Sequence, residues 1–323
     1  MLIEDHLSRQ RQKEGIRRLF SETTLLAKDF ILPIFVKQGG EKVAIASLPG
    51  VYQIPLSGLD DEVQEAVDCG VFAVLLFGVS DHKTSDARAA FDDEGLIQKA
   101  ITQIKKKFPH LLVMADCCLC EYTDHGHCFI HTQGKSDSSL TREVLGNIAI
   151  SYAKAGVDVV APSGMVDGMV SFLRQALNAN GYTSTLIFSY AVKYASHFYG
   201  PFREAAGSGQ FSGHRLYHQL GVSQKQEGLL EAEMDVKEGA DALIIKPAGF
   251  YLDMVSLIKQ RTLLPLIGYH VSGEYAMVKL SAQAHILQEK EAFFEIYTCM
   301  KRAGVTGIIS YAAKDMCKWL NHF

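Results

Sequence analysis

Short apolar runs rich in β-branched residues alternate with longer amphipathic stretches along most of this chain, and this alternation restricts its fold more than any other feature. Each run is almost continuously apolar, which is typical of strands that are covered on both faces, as in a parallel sheet. The pattern predicts eight strands, at 31–36, 71–77, 111–115, 157–161, 186–189, 242–246, 266–269 and 306–310.

Between the runs lie helical patterns such as that of 140–155, which precedes Gly156 and places on one face Leu140, Val144, Leu145, Ile148 and Tyr152. Eight strand–helix units in sequence predict an α/β protein with a single (β/α)8 TIM barrel, and an open doubly wound sheet is the alternative. No GxGxxG motif follows the first strand, which weakens the dinucleotide-binding form of that alternative. We therefore expect an extended N-terminal arm at 1–22 and one catalytic barrel domain at 23–323.

The charge balance bears on the possible partners. The formal net charge of -4 and the pI of ≈ 6.3 argue against a large electropositive surface for nucleic acid. Residues 9–18 form the one locally basic segment, which is also compatible with a nucleic-acid tail or a transit peptide, but Glu4 and Asp5 oppose the latter. No apolar run approaches the roughly 20 residues of a membrane span. We expect a cytoplasmic protein that binds neither nucleic acid nor membrane, with an arm that is solvated or contacts another subunit.

The 7 cysteines, without an apolar signal segment, indicate thiols that are kept reduced rather than a disulfide framework. Four of them crowd together in the sequence: Cys117, Cys118, Cys120 and Cys128. The spacing from Cys118 to Cys120 to Cys128 is rich in thiolates, as zinc sites are, but it is not the common C-x2-C form. From the spacing alone, metal binding and a reactive or structural cysteine patch are both open.

Reactive side chains stand at or just beyond the carboxyl ends of six different predicted strands: Cys118, Ser163, Lys193, Lys246, Ser272 and Tyr311. In a barrel this end is the catalytic face, so these residues should converge on one mouth. Lys193 and Lys246 end neighbouring predicted strands, which lie about 4.8 Å apart in a sheet. A second cation and an apolar pocket both lower the pKa of a lysine, whereas an ordinary strand-end lysine extends to solvent. We expect each lysine to activate the other as a nucleophile.

Six segments form long motifs that follow one another over nearly the whole chain: Leu-Pro-Gly-Val-Tyr (48–52), Tyr-Thr-Asp-His-Gly-His-Cys (122–128), Ser-Tyr-Ala-Val-Lys-Tyr-Ala-Ser-His-Phe-Tyr-Gly-Pro-Phe-Arg-Glu-Ala (189–205), Gly-Ala-Asp-Ala-Leu-Ile-Ile-Lys-Pro-Ala (239–248), Tyr-His-Val-Ser-Gly-Glu-Tyr-Ala-Met (269–277) and Ser-Tyr (310–311). They resemble the motifs of the porphobilinogen synthase (5-aminolevulinate dehydratase) family. The resemblance implies a barrel lyase of tetrapyrrole and heme synthesis, which condenses two 5-aminolevulinate molecules asymmetrically to porphobilinogen with loss of two waters.

The resemblance also implies roles for individual residues. Lys246 would hold the first substrate as a Schiff base, and Lys193 would engage the second. Five residues would bind the substrate carboxylates: Ser272 and Tyr311 for the first, and Arg203, Arg215 and Gln219 for the second. Arginine forks suit carboxylates on chemical grounds alone. Both arginines flank 207–213, a glycine- and serine-rich segment that we expect to be a mobile lid.

One branch of the resembling family binds zinc through three cysteines in this region, and this chain has them at Cys118, Cys120 and Cys128. The resemblance therefore implies a zinc ion with three protein ligands and an open fourth position, which is typical of a catalytic site. Asp116 begins the same segment and is placed to support the site. His125 and His127 are expected to lie beside the ligands rather than to bind the zinc.

Two further expectations come from the resemblance. Glu231 matches the position of a glutamate that holds an activating magnesium in some bacterial members, although a lone helical glutamate is ordinarily solvated. The family precedent is a homo-octamer whose N-terminal arms embrace neighbouring subunits, which would give the basic arm its role.

The segment 161–169 departs from the resemblance, because Gly164 and Met169 stand where the family usually has an aspartate and an arginine. Two alternatives therefore stay open beside the synthase. One is another Schiff-base barrel lyase or aldolase that uses a single lysine and no metal. The other is an inactive, zinc-holding scaffold.

Overall fold

The computed structural model describes residues 7–207 and 215–321, and the structural statements below concern those residues. Its strands are β1 Phe30–Lys37, β2 Val43–Ala44, β3 Tyr52–Pro55, β4 Ala73–Val79, β5 Leu112–Cys117, β6 Ile130–Thr132, β7 Lys135–Asp137, β8 Val159–Pro162, β9 Leu186–Lys193, β10 Ala242–Lys246, β11 Leu266–His270 and β12 Gly307–Ser310. Its α-helices are α1 Glu14–Leu19, α2 Leu59–Asp68, α3 Leu96–Lys107, α4 Ser138–Ala155, α5 Met169–Ala179, α6 Gly200–Ala205, α7 Gln226–Glu238, α8 Leu252–Lys259, α9 Ser272–Gln283, α10 Glu289–Ala303 and α11 Ala313–Asn321.

Eight parallel strands close into a barrel, in the order β1, β4, β5, β8, β9, β10, β11 and β12. The closing contact pairs Phe30 of β1 with Ile308 of β12 and Ile31 with Ile309. Helices connect the successive strands. The predicted (β/α)8 TIM barrel is therefore confirmed, and the open doubly wound sheet is excluded because the first and last strands pair with each other.

The barrel strands are buried along almost their whole length, which explains why their sequences are continuously apolar. All five residues of β10 and all four of β8 are buried, for example. Each of the eight predicted runs overlaps one barrel strand. The largest difference is in β9, which continues past the predicted end at 189 to Lys193 and so carries this lysine on the strand itself.

Helix α4 shows how local sequence sets the ends of a connecting helix. The Asp137 side chain accepts a hydrogen bond of 3.0 Å from Leu140 N at its start, and Gly156, with a φ of 97°, ends it in the left-handed region. The predicted apolar face packs inward except at Leu140, which is 38% exposed because it lies in the first turn. Helix α4 begins at Ser138, two residues before the predicted pattern.

Four short strands were not predicted: β2, β3, β6 and β7. Strands β6 and β7 form a hairpin whose two turn residues, Gln133 and Gly134, have φ angles of 53° and 76°. Positive φ at both positions is the property of a type I′ turn. Strands of three residues are too short to show an alternating pattern, which is why sequence reasoning missed this hairpin.

The described part of the N-terminal arm, 7–22, has a short 3-10 turn and helix α1, and none of its residues is buried. Leu19 and Phe20 are 78% and 54% exposed. The predicted lid at 207–213 lies outside the described residues except for Gly207. None of the described helices has both the length and the apolar character that crossing a bilayer would require.

Candidate active site

Lys193 and Lys246 lie side by side at the carboxyl ends of β9 and β10, where the strand register pairs them directly. The register shifts between Leu243 and Ile245, so β9 carries an extra residue there. Regular pairing would have placed Val192 opposite Lys246 and turned Lys193 to the other side of the sheet, because neighbouring residues of a strand face opposite ways. The bulge is therefore what brings the two lysines level.

The Lys246 ammonium group is 4% exposed and is surrounded by aromatic rings. The distances from Nζ to the ring centroids are 4.3 Å for Tyr269, 4.6 Å for Phe202 and 5.3 Å for both Tyr190 and Tyr199. Rings that face a cation stabilise it, but burial and then the charge of Lys193 have the larger effect and lower the pKa of Lys246 to about 7. A large fraction of this amine is therefore a neutral nucleophile near neutral pH.

Lys193 is held by the segment that follows β8. Its Nζ donates a hydrogen bond of 2.6 Å to the carbonyl oxygen of Ser163. The Ser163 hydroxyl in turn donates to Asp116 Oδ2 at 3.2 Å. Ser163 thus connects the lysine of β9 to a carboxyl group at the end of β5.

Asp116 is buried beside the two lysines. Burial, and next the nearby Cys118, raise the pKa of Asp116 to about 7. Its Oδ1 has no hydrogen-bond partner within 7–207 and 215–321. A carboxyl group with a pKa near neutrality and a free oxygen can give or accept protons during a reaction.

Three buried thiols meet next to this group. The sulfur atoms of Cys118, Cys120 and Cys128 all lie within 4.8 Å of one another, and those of Cys118 and Cys120 are 3.4 Å apart. Zn–S bonds of about 2.3 Å in a tetrahedron place sulfur atoms roughly 3.8 Å apart, so this trio fits a metal of that type with small side-chain rotations. The fourth cysteine of the segment, Cys117, instead contacts Leu145 O at 3.6 Å.

The electrostatics differ within the trio: contact with Cys118 raises the pKa of Cys128 to about 12 and that of Cys120 well above its usual range. Hydrogen bonds from Cys120 and Cys128 hold the pKa of Cys118 well below its usual range, despite burial. A thiolate is the form that ligates a metal. The donor set therefore fits a soft or borderline divalent ion.

A narrow cavity joins the lysines to three of the predicted carboxylate-binding residues. Its lining includes both lysines, the acidic pair, one cysteine and three predicted substrate ligands: Lys193, Lys246, Asp116, Glu121, Cys120, Arg203, Arg215 and Gln219. The buried side-chain amide of Gln219 has no hydrogen-bond partner in the described part of the chain. A carboxylate in this cavity would meet cationic and amide donors at one end and the amines at the other.

Ser272 and Tyr311 are not among the lining residues of this cavity. The Ser272 hydroxyl is buried, accepts from Phe202 N at 3.0 Å and donates to Phe198 O at 3.2 Å. The Tyr311 hydroxyl lies 3.3 Å from that of Tyr269, whose ring faces Lys246. Tyr311 therefore contacts Tyr269, which lies between it and Lys246. Ser272 bonds to the backbone next to α6 and so holds that segment in place.

Glu121 is a lining residue that sequence reasoning missed. It is 1% exposed, and burial followed by the charges of Asp116 and Cys118 raises its pKa well above the usual range. A glutamate between Cys120 and Cys128 gave no signal in sequence, because a single glutamate is ordinarily a solvated residue. The fold makes it a second buried acid beside Asp116.

Glu231 lies apart from this cavity, on α7. It lines a groove with Asp167, Asp235 and Glu238. Burial, and then the neighbouring carboxylates, raise the pKa of Glu231 to about 6. The predicted magnesium ligand is thus one of several acids, rather than the lone solvated glutamate that its sequence context suggests.

Comparison with known proteins gives the chain its family. The model of the family described as delta-aminolevulinic acid dehydratase matches residues 4–319. The delta-aminolevulinic acid dehydratase of Bacillus subtilis (strain 168) is 48% identical over 313 residues, which is 97% of each chain. That of Helicobacter pylori (strain J99) is 45% identical over 316 residues, or 97% of this chain and 98% of the other.

A solved structure agrees with the sequence relatives. Delta-aminolevulinic acid dehydratase (porphobilinogen synthase) from Toxoplasma gondii ME49, in complex with the reaction product porphobilinogen, superposes with a TM-score of 0.94. It is 38% identical, and the match covers 96% of this chain and 90% of that one. The fold, the lysine pair at the barrel mouth and these matches together show that this chain belongs to the delta-aminolevulinic acid dehydratase family.

Proposed function

We propose that Lys246 and Lys193 are the reacting amines of the activity that family membership gives this chain. That activity is porphobilinogen synthase, a lyase reaction in which two 5-aminolevulinate molecules form porphobilinogen. The observation that supports the residue assignment is the lysine pair itself, level at the ends of β9 and β10, with burial and the second charge lowering the pKa of Lys246 to about 7.

In the first step the neutral Lys246 amine attacks the ketone carbon of the first substrate. A carbon–nitrogen double bond forms, and the ketone oxygen leaves as water after it has gained two protons. Asp116 and Glu121 are buried acids that line the same cavity. We assign Asp116, whose pKa of about 7 suits proton exchange, to this transfer.

The second substrate is proposed to lie on the Lys193 side of the cavity. Arg203, Arg215 and Gln219 line that cavity and would bind its carboxylate through charge-assisted hydrogen bonds. The hydrogen bond from Lys193 to Ser163 O would be exchanged for one to the substrate.

The carboxylate of the first substrate is assigned to Tyr311 and Ser272. The Tyr311 hydroxyl lies 3.3 Å from the hydroxyl of Tyr269, which is one of the aromatic rings around Lys246. Ser272 is occupied by the backbone of Phe198 and Phe202, so it would bind substrate only after the segment around α6 has shifted.

We also propose that Cys118, Cys120 and Cys128 hold zinc, because their thiol donors and spacing fit that ion. Bound zinc would supply a Lewis acid with one open coordination position. Cys120 lines the substrate cavity, so an ion held by the trio would act on substrate bound there. For Glu231 we propose weaker, activating binding of magnesium, supported by the three other acids in its groove.

The exposure of the N-terminal arm is the basis for proposing an oligomer. Residues 7–22 bury none of their side chains in the chain itself, and Leu19 and Phe20 are largely exposed. Apolar residues on an extended arm suit a subunit contact, so we propose that the arm assembles a homo-oligomer, with the octamer as the expected form. The predicted cytoplasmic location and the absence of nucleic-acid and membrane partners stay predictions.

Pyrrole formation from 5-aminolevulinate tests the proposal. The purified chain should form porphobilinogen, and Lys246→Met and Lys193→Met should each abolish it. Lys106→Met, which changes an exposed lysine of α3, is the matched control and should retain full activity. Retained activity in Lys193→Met would favour a single-lysine enzyme, and no activity in the unaltered chain would favour an inactive scaffold.

A further inference from the structure

We propose that His125, His127 and His131 form a second metal site, separate from the cysteine trio, for a divalent transition ion such as Zn²⁺ or Co²⁺. One ring nitrogen from each histidine lies within 4.8 Å of the other two. The ring centroids are 4.7 to 5.3 Å apart. Among the described residues, this trio and the cysteine trio are the two groups of three or more potential ligands whose ligand atoms all lie within 4.8 Å of one another.

Two neighbouring pieces of backbone supply the three rings. His125 and His127 belong to the loop after β5, where Thr123 Oγ1 donates to His127 O at 3.0 Å and keeps the loop compact. His131 is the central residue of β6, between buried Ile130 and exposed Thr132. Strand alternation therefore turns the His131 ring away from the side that Ile130 packs on and towards the loop.

The hairpin holds His131 in a defined place. Ile130 N donates to Thr141 Oγ1 at 3.0 Å, which anchors β6 to helix α4. The type I′ turn at Gln133 and Gly134 fixes the pairing of His131 with Ser136. A ligand on such a braced strand is better suited to metal binding than one on a free loop.

Two of the ring nitrogens are available to a ligand. His125 Nε2 and His131 Nε2 are shielded from solvent, and neither has a hydrogen-bond partner within the described ranges. Buried polar atoms without partners are uncommon and ask for an explanation, such as an absent ion. Neutral imidazole nitrogen is the donor that Zn²⁺, Co²⁺ and Cu²⁺ prefer.

One adjustment is required at His125. Its Nδ1 accepts a hydrogen bond of 3.1 Å from His127 N, so in that state the ring proton is on Nε2. Binding through Nε2 would move this proton to Nδ1 and break the bond. Zn–N bonds of about 2.0 to 2.1 Å would also draw the three nitrogens to roughly 3.4 Å from one another, which side-chain rotation can supply.

The site would be open to exchange with solvent. His127 and His131 line a surface cavity of ≈ 470 Å³ whose lining also includes His218, Asp167 and Lys135. Three nitrogen ligands leave a fourth position for water or for a small anion from that cavity. A bound ion would connect the loop that carries Cys120 and Cys128 to the hairpin.

Cobalt absorption distinguishes the two sites, because thiolate ligands give Co²⁺ an intense charge-transfer band in the near ultraviolet and imidazoles do not. The full chain with Cys118→Ala, Cys120→Ala and Cys128→Ala should still bind one Co²⁺, with visible bands and without the charge-transfer band. Adding His131→Gln should weaken this binding by more than about 100-fold, since even a lost partner of a ligand costs about 10- to 100-fold. Adding His110→Gln, an exposed histidine outside both trios, should not.

Failure of the cysteine-free variant to bind Co²⁺ while folded, or equal binding with and without His131→Gln, would overturn the proposal. If that variant does not fold, zinc content after dialysis gives the answer. His125→Gln combined with His131→Gln should hold one Zn²⁺ fewer per chain than the unaltered protein, and His110→Gln should hold the same number. Equal zinc content in all three proteins would contradict the site.

Discussion

Replacing Lys193 by methionine should raise the pKa of Lys246, because it removes a positive charge beside a buried amine. The pKa of Lys246 is lowered from 10.5 to about 7, which corresponds to about 5 kcal/mol of ammonium destabilisation. Burial is the largest cause, and Lys193 is the next. Two unit charges on strands about 5 Å apart interact with roughly 3 kcal/mol at an effective dielectric of 20. Loss of this repulsion is worth about two pKa units.

Imine formation gives the readout, because only the neutral amine reacts. The initial rate of borohydride-trapped labelling of Lys246 by 5-aminolevulinate should rise with pH through a midpoint near the pKa of about 7. In Lys193→Met the midpoint should move up to about 9. Lys193→Arg keeps the charge and should keep the midpoint close to that of the unaltered protein. An unchanged midpoint in Lys193→Met, or an equal rise in Lys193→Arg, would refute the electrostatic reasoning.

Three further outcomes follow from the structure. Lys246→Met should increase the free energy of unfolding in urea at pH 7 by up to about 4 kcal/mol. The unfolded chain binds more protons than the folded one between the folded pKa of about 7 and 10.5, so this gain should shrink as pH rises through that window, and a gain independent of pH would contradict it. Chelation of the metal should abolish pyrrole formation with little change in circular dichroism, and added zinc should restore pyrrole formation. Cys117→Ala should stay active, whereas full activity without metal would count against the cysteine site. Deletion of residues 1–20 should lower the particle mass in light scattering, whereas an unchanged mass would exclude the arm from assembly.

The barrel could be predicted because burial on both faces gives each strand a continuous apolar run. The run at 242–246 coincides with β10, so the position of Lys246 at a strand end was accurate. The β9 strand was predicted four residues too short. Its bulge has no sequence signature, because the extra residue near Tyr190 and Ala191 is as apolar as its neighbours. The closeness of Lys193 and Lys246 was therefore predicted, whereas the register shift that brings them level needed the structure.

Parts of the site that depend on contacts between distant segments could not be predicted. Glu121 lines the substrate cavity together with Arg203 and Lys246, which belong to segments far from it in sequence. Ser272 was assigned to substrate, and its bonds to the backbone of Phe198 and Phe202 depend on how α6 packs. His131 gave no signal because β6 is three residues long, and its approach to His125 is fixed by the hairpin.

The central claim is that Lys246 forms the imine with the first substrate, and mass mapping after borohydride reduction tests it most directly. The protein is reduced in the presence of 5-aminolevulinate, digested and searched for the mass of the reduced adduct. We expect the adduct on the peptide that contains Lys246, and its loss from that position in Lys246→Met together with loss of pyrrole formation. An adduct found only on other lysines, or undiminished pyrrole formation in Lys246→Met, would contradict it.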